Sequence, residues 1–548
     1  MQRSNRSGLT GIIGNSITDE RILQAMLETM NPITLQILKN AFTAIPEEMG
    51  AALKRTAYSP NIKERMDASC AIFDAKGRML AQAEHIPVHL GAMPLSVEFA
   101  LRHFDDLQEG DQIVVNDPYH GGSHLPDITL IKPIFYDAEL VGYAVNRAHH
   151  ADVGGMTPGS MPGNSTEIFQ EGLIIPPCKL LIRGKENADI FSIIKANTRT
   201  PVERAGDIRA QIAANNLGAM RMTEHIQKYG INAYTEFAAS IIEYSEKRMR
   251  HAISKIPDGI YTAEDFMDDD GVTDQPVKIA VTLKIAGSAT NINFEGTDRQ
   301  RTGNINAPYA VTLSAVYYVL RCVTDPEIPP NHGCYLPVNI NVPEGTVLNP
   351  NPPAAVSSGN VETSQRIVDV LLLALHKAMP HKIPAQSQGT MNNVAIGGTV
   401  NVEGFTYYET IAGGQGASPN KNGDSGIHTH MTNTANTPIE ALELSYPLRV
   451  ERYELIPDSG GNGKFRGGSG IRRAIKVLVD DATLSIQSER RKYQPKGLLG
   501  GEDGRAGKNY LIRDNKRIDL PSKVTMRLEK GDVVVIETPG GGGYGHAQ

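Results

Sequence analysis

The stretch ITLIKPIFYDAELVGYAVNRA (128–148) constrains the fold of this chain more than any other feature. It reads as two apolar strands joined by a turn at Asp137-Ala138-Glu139, a hairpin that brings its own ends back together. One end runs out of NDPYHGGSHLPDITL (116–130) and the other runs into NRAHHADVGG (146–155). Closing the hairpin therefore sets His124 and Asp127 beside His149. Imidazole and carboxylate together suit Zn, Mn or Fe, and three protein ligands leave positions open for water or substrate. That is the layout of a catalytic metal rather than a structural one. The alternative for an H-x-x-D pattern is that these side chains only hydrogen-bond loop backbone. The surroundings favour a site: Gly121 and Gly122 permit tight turns ahead of His124, and Pro126 stiffens the loop. Gly154 and Gly155 let backbone approach closely just after His150.

With 53 glycines and 33 prolines spread between short β-rich runs and helical patterns, the chain reads as a large, loop-rich, multidomain α+β protein. Pro32 suits the start of a helix whose apolar positions are Leu35, Ile37, Leu38, Phe42, Ile45 and Met49. Residues 201–255 read as two long helices separated by Gly230. The section from YTAEDFMDDDGV to NINFEGT reads as antiparallel strands, and 308–322 and 364–380 as mostly buried helices. From about residue 445 alternating apolar residues predict a β-rich tail that ends in GGGGYG. The expected organisation is a leader (1–30), a metal-site α/β domain with long helices (31–255), a central α+β domain (256–440) and a β-rich C-terminal domain (441–548). The leader has Arg3 and Arg6 but no continuous apolar segment or small-residue cleavage site. It is expected to be partly disordered or packed on a partner, with a short amphipathic helix over 19–30.

A formal net charge of −7 gives no basic footprint for nucleic acid or for an anionic membrane. No run of about eighteen apolar residues suggests a membrane span. Cys70, Cys178, Cys322 and Cys334 lie far apart without C-x-x-C spacing, so neither a disulfide framework nor a zinc knuckle is indicated. The reducing cytoplasm is the simplest location. GGNGKF (460–465) is not a P-loop, because Asp458 stands where the first glycine is needed and Phe465 where Ser or Thr would hold magnesium.

Other histidines are candidates around the main cluster. His428 and His430 in GIHTHMTNT alternate as on one face of a strand. They either hold a metal or a phosphorylated intermediate, or satisfy backbone groups at a domain junction. His85 and His89 in HIPVHLG fit a core role, or one orienting the ligands, better than direct coordination. His120 and His150 flank the proposed ligands and are candidate proton carriers near neutral pH.

Seven segments in order, ERMDASCAIFD (64–74), HIPVHLGAM (85–93), NDPYHGGSHLPD, AHHADVGG, GGQGA (413–417), HTHMTNTANTPIE (428–440) and RYELIPDSGGNGKFRGGSG (452–470), resemble the hydantoinase B/5-oxoprolinase family. That family includes B subunits of ATP-dependent hydantoinases and lactamases, the C-terminal half of 5-oxoprolinase and the alpha subunits of acetone-type carboxylases. The resemblance matches His124, Asp127 and His149 to the metal ligands of the carboxylase branch and offers Asp67 as a fourth. It implies a hydantoinase B-like fold and a separate A-type ATPase subunit of actin-like fold that binds ATP-Mg. The implied activity is metal-assisted opening of a cyclic amide such as a hydantoin or 5-oxoproline, in a heteromer with two or more copies of each chain. The alternatives are an ATP-dependent ketone carboxylase subunit and a non-catalytic chain that organises the ATPase. The glycine loops GGQGA and DSGGNGKFRGGSG are expected either to line the junction with the partner or to be turns at strand ends.

Overall fold

The hairpin forms and sits in the middle of the first sheet. The computed structural model describes residues 32–83 and 86–547, so the leader, with the helix expected over 19–30, and His85 lie outside the described residues. Strands β1 (Ala68–Asp74), β2 (Met79–Ala83), β3 (Gln112–Val115), β4 (Asp127–Tyr136), β5 (Glu139–His149), β6 (Cys178–Ile182) and β7 (Lys185–Glu186) form a sheet of order β2-β1-β5-β4-β3-β6-β7. The turn between β4 and β5 is shorter than expected. Only Asp137 and Ala138 lie outside the strands, at φ 50° and 65°, and Glu139 already belongs to β5. Two successive positive φ values suit a two-residue hairpin, whose backbone twist matches that of the flanking strands. The tight turn pairs Tyr136 with Glu139, and a β-bulge at Val141 then shifts the register by one residue, so that Asp127 pairs with His149 directly.

The sheet is buried on both faces because its strands alternate between two cores. Cys70 and Ile72 of β1 face Phe42, Met49 and Met222. Ala71 and Phe73 face a larger cluster with Met93, Val97 and Val311. The first core is covered by the helix Pro32–Thr56 and the helices Pro201–Tyr229 and Ile231–Ile253, which break at Gly230 (φ 83°) as predicted. Leu38, Phe42, Ile45 and Met49 are buried, each worth about 1.5–3 kcal/mol relative to exposure. Ile37 departs from the expected pattern: it is 51% exposed, because it falls outside the stripe that meets the sheet. Gly218 packs against Met49, where a side-chain carbon would collide with the thioether.

The middle of the chain adds β8 (Gly259–Met267), β9 (Val277–Ala286), β10 (Ala289–Asn293) and β11 (Val338–Asn341), in the order β11-β10-β9-β8. The first three run antiparallel as expected, and β11 joins parallel to β10. The helices Tyr309–Val323 and Ser364–Ala378 pack on each other, and the second also covers β8 and β9. From residue 393 the chain is β-rich: β12 (Asn393–Val400), β13 (Glu403–Thr410), β14 (Leu448–Leu455), β15 (Ile471–Val477), β16 (Ala482–Gln487), β17 (Lys508–Arg513), β18 (Lys516–Leu520), β19 (Lys523–Leu528) and β20 (Val533–Glu537). These make two sheets, β13-β12-β16-β19 and β14-β15-β20-β17-β18.

The glycine-rich segments interleave in the interior. Gly541 N–H donates to Gly468 O at 3.0 Å, Gly542 N–H to Gln386 O at 2.8 Å and Gly543 N–H to Glu502 O at 2.9 Å. Gly461 N–H in turn donates to Gly541 O at 2.9 Å. Side-chain carbons at positions 540–543 would fall on the carbonyls of Ser459, Gln415, Lys496 and Asn462. None of these four glycines has a positive φ. They are needed for backbone-to-backbone approach rather than for turning. The glycines of GGQGA and DSGGNGKFRGGSG are thus required by packing within this chain. Among the described residues no helix is long and apolar enough to cross a membrane.

Candidate metal centre

Asp127 opens β4 and His149 closes β5, so the hairpin register alone brings these two side chains together. His124 joins them from a loop held in shape by Asn116. Its amide donates to Leu125 O at 2.7 Å and Leu173 O at 2.9 Å, and its Oδ1 accepts from Ile175 N–H at 2.6 Å. Gly121 turns the loop at φ 87°, and a side-chain carbon on Gly122 would lie 2.6 Å from the carbonyls of Asn116 and Asp117. The far wall of the chamber comes from distant sequence: Asn360 and Val361, Met391, Tyr408 and Thr410, and Met431, Thr432 and Thr434. Asp67, Ile86, Val88 and His89 complete it, and the free space is about 20 Å³. That is room for about one water molecule.

Three donor atoms converge in this space. His124 Nε2 lies 3.0 Å from Asp127 Oδ1 and 3.1 Å from His149 Nδ1, and His149 Nδ1 lies 3.1 Å from Asp127 Oδ1. All three residues are buried. Donors at right angles around a cation, at bond lengths of about 2.1 Å, would stand about 3.0 Å apart. The triangle therefore fits a divalent transition ion with one face occupied by protein, the two-histidine, one-carboxylate arrangement that leaves positions open. Protonation agrees with this. Burial alone would raise the Asp127 carboxyl, but His124, with hydrogen bonds from His149 and His89, holds it well below its ordinary value. Burial lowers His149, although Asp127 and Asp67 oppose the shift. An ionised carboxylate and a neutral imidazole are the forms that bind metal.

The supporting contacts include residues that sequence reasoning missed. Arg147, buried on β5, donates from Nε to Thr129 Oγ1 at 2.8 Å and from Nη2 to Ser96 Oγ at 2.7 Å. Its Nη1 reaches Ser123 Oγ at 3.3 Å, and the Ser123 hydroxyl donates to Asp127 Oδ2. Burial pulls Arg147 down to about 10 against the opposing charge of Asp127. An arginine just past the end of the mostly apolar run Leu140–Val145 was the available signal for this residue. Tyr408 stacks on the His149 ring, with centroids 4.6 Å apart and planes 16° apart, and its hydroxyl donates to Asn393 Oδ1 at 2.7 Å. Asn61 Nδ2 fixes the backbone by donating to His149 O at 2.7 Å. Nothing in the spacing pointed to Tyr408 or Asn360.

The remaining candidates divide clearly. Asp67 faces the chamber and its carbonyl accepts from His149 N–H at 3.0 Å, while its carboxylate lies 3.8 Å from Arg65. His89 stands behind Asp127, with Nε2 3.6 Å from Oδ2 and Nδ1 2.9 Å from Ser69 Oγ, an orienting position. His120 and His150 do not line the chamber. The His120 side chain is 53% exposed beside Asp117. His150 is buried, with Nε2 2.9 Å from Gln211 Oε1 and Nδ1 accepting from Arg204 at 2.9 Å; burial and that guanidinium lower it to about 4. His428 and His430 do not lie on a strand. The chain turns there, with His430 at φ 57°, and the turn drives Met431 into the core. Both histidines line a neighbouring cavity of about 520 Å³ with Tyr318, Lys382 and Gln415, and Thr432 borders this cavity and the metal chamber alike. Burial lowers both, with Arg65 adding to the effect at His428, which falls to about 3.

Comparison with known proteins agrees with this architecture. An uncharacterised protein of Methanocaldococcus jannaschii is 47% identical over 94% of this chain and 91% of its own. The 5-oxoprolinase 1 of Arabidopsis thaliana is 41% identical over 94% of this chain, which spans only 42% of that longer protein. The ATP-dependent caprolactamase of Pseudomonas jessenii superposes with a TM-score of 0.88 at 29% identity, over 94% of this chain and 91% of its own. The hydantoinase B/oxoprolinase profile matches residues 31–547, the whole described fold from first helix to glycine tail, and the chain belongs to that family.

Proposed function

We propose that this chain is the ring-opening component of an ATP-dependent cyclic-amide hydrolase, acting on a hydantoin, 5-oxoproline or a similar lactam. The observation that carries the reading is the buried triangle of His124, Asp127 and His149 in a family whose named relatives include a 5-oxoprolinase and a caprolactamase. These three residues would hold a divalent ion, Zn, Mn or Fe, with Asp67 as a further carboxylate facing the same space. When bound, such an ion supplies a hydroxide at neutral pH by lowering the pKa of water to about 7, and an electrophile for the amide oxygen. The chain itself does the rest. Asp127 stays ionised, His149 stays neutral, Arg147 and Ser123 fix the carboxylate, and Tyr408 fixes the imidazole plane.

A space of about 20 Å³ holds a water but no lactam ring, so the ring belongs in the neighbouring cavity of about 520 Å³. There the neutral His428 and His430 are placed to accept a proton or to hold the activated oxygen, across Thr432 from the metal. Amides are poor electrophiles, and phosphorylating the oxygen makes the ring carbon reactive. That step is assigned to an A-type ATPase subunit carrying ATP-Mg, in a heteromer with two or more copies of each chain in the cytoplasm. In support, this chain spans 42% of the plant 5-oxoprolinase, which leaves the larger share of that protein for other work.

The test is a panel of hydantoin, 5-oxoproline, caprolactam, acetone and acetophenone, assayed for ADP and ring-opened product with the cognate ATPase. Coupled ADP release on a cyclic amide is expected. Turnover of the ketones alone, or ring opening by this chain without ATP, would overturn the proposal.

A further inference from the structure

Asn360 stands on a widened helical turn, Gly359–Thr363, in which Ser364 N–H reaches back five residues to Gly359 O. Such turns inside helices gather at functional sites. The turn cannot retreat from the chamber, because Gly359 lies against the backbone of Asn306 so closely that a side-chain carbon would not fit. Ser364 Oγ further pins the Asn360 carbonyl at 2.7 Å. The side chain is buried and lines the metal chamber.

Its terminal amide nitrogen lies 3.2 Å from His124 Nε2, whereas Oδ1 is buried without a partner. That arrangement is poor once His124 serves as a ligand. A metal-bound imidazole nitrogen has no lone pair left to accept an N–H, so the donor would face nothing and the acceptor would remain unsatisfied. A half-turn about the last side-chain torsion exchanges the two atoms. Oδ1 then takes the inward position, 3.2 Å from His124 Nε2, which is close to the 3.0–3.1 Å separating the three established donors. It then stands beside the His124 donor and faces the chamber that the other two donors line, and it is an oxygen, which suits Mn, Fe or Zn alongside imidazole and carboxylate.

We propose that Asn360 is a metal ligand through Oδ1, supplied from across the chamber by the widened turn. The assignment rests on the metal reading of the proposed function and adds a neutral oxygen donor to it. The link has a structural consequence: it ties the first sheet, through His124, to the Ser364–Ala378 helix that covers the second sheet.

The test uses Co(II) as the probe, titrated into metal-stripped full-length chain and followed by its visible absorption, with bound metal counted by elemental analysis. Asn360→Leu keeps the shape and removes the oxygen, and should weaken Co(II) binding at least tenfold. Asn360→Asp keeps an oxygen and should bind within threefold of wild type or tighter. Wild-type affinity in Asn360→Leu, or a loss greater than threefold in Asn360→Asp, overturns the assignment while leaving the three-residue site intact. Should Asn360→Leu fail to fold, Asn360→Asp decides by the same threshold. Failure of the wild-type chain to bind Co(II) would instead sink the metal reading itself, and this assignment with it.

Discussion

Removing the carboxylate of Asp127 is the most direct challenge to the metal centre. In Asp127→Ala the two imidazole nitrogens 3.1 Å apart remain, but the atom within about 3 Å of both is gone. Partners outside the coordination shell are worth 10–100-fold in metal affinity, so a direct ligand should be worth at least about 100-fold. At a metal concentration of about 100 times the wild-type Kd, binding stabilises the wild-type chain by about 2.7 kcal/mol. The same concentration gives the variant only about 0.4 kcal/mol, a difference of about 2 kcal/mol. With an unfolding entropy of about 2.1 cal/mol/K per residue over 548 residues, that difference corresponds to about 2 °C in Tm for one cooperative transition. Thermal unfolding should be measured on metal-stripped wild type and variant, each with and without added Mn or Zn, beside elemental analysis. Comparing each protein with its own stripped form cancels any direct effect of the substitution on the fold. Equal metal-induced shifts and equal metal content in the two proteins would refute the assignment of Asp127.

Burial raises Glu362 from 4.5 to about 7, so its proton is held more tightly in the folded chain than in the unfolded one. The resulting stabilisation is complete below pH 4.5 and is lost as pH rises through 7; Glu362→Gln should therefore gain about 3 kcal/mol on wild type between pH 5 and pH 8 in urea unfolding, and an unchanged pH slope would count against it. Gly541→Ala places a carbon on the Gln415 carbonyl and should lower stability by about 1–3 kcal/mol in the same assay, with a neutral result arguing against tight packing of the glycine tail. Calorimetric titration of the chain alone with ATP should show no tight binding; micromolar affinity would overturn the division of labour with an ATPase. Co-expressed with that ATPase, the chain should co-elute in size-exclusion chromatography, and activity on mixing without co-elution would exclude a shared, enclosed intermediate.

What was legible in the sequence follows how locally each feature is encoded. The β4–β5 hairpin is built from neighbouring residues, a two-residue turn and a bulge at Val141, and its register delivers Asp127 to His149; the apolar pattern showed the hairpin, but not the bulge that sets the final pairing. The long helices announce themselves by apolar periodicity and by Gly230. The far wall of the chamber has no such signature. Asn360 and Tyr408 reach His124 and His149 through the packing of whole sheets and helices. His428 and His430 misled because alternation implies a strand only where the backbone stays extended, and His430 takes a left-handed conformation instead. Glycine was ambiguous in the same way. A glycine that turns and a glycine that admits a neighbouring carbonyl look alike in sequence, and the tail at 540–543 is of the second kind.

The electrostatics of the chamber give a reason for its burial. Asp127 and Asp67 bring two carboxylates into the space, and Arg147 and Arg65 stand close behind them. The guanidiniums are held at a distance: Arg147 acts on Asp127 through the Ser123 hydroxyl, and Arg65 lies 3.8 Å from Asp67. The atoms closest to Asp127 Oδ1 are two imidazole nitrogens, and burial pushes His149 toward its neutral form. A buried carboxylate is costly unless a positive charge is shared with it. A divalent ion held as proposed would engage all three donor atoms at once, and in a water-poor space its field would be screened far less than at the surface. The burial of the donor set and the strength of the proposed electrophile would therefore be two consequences of the same packing.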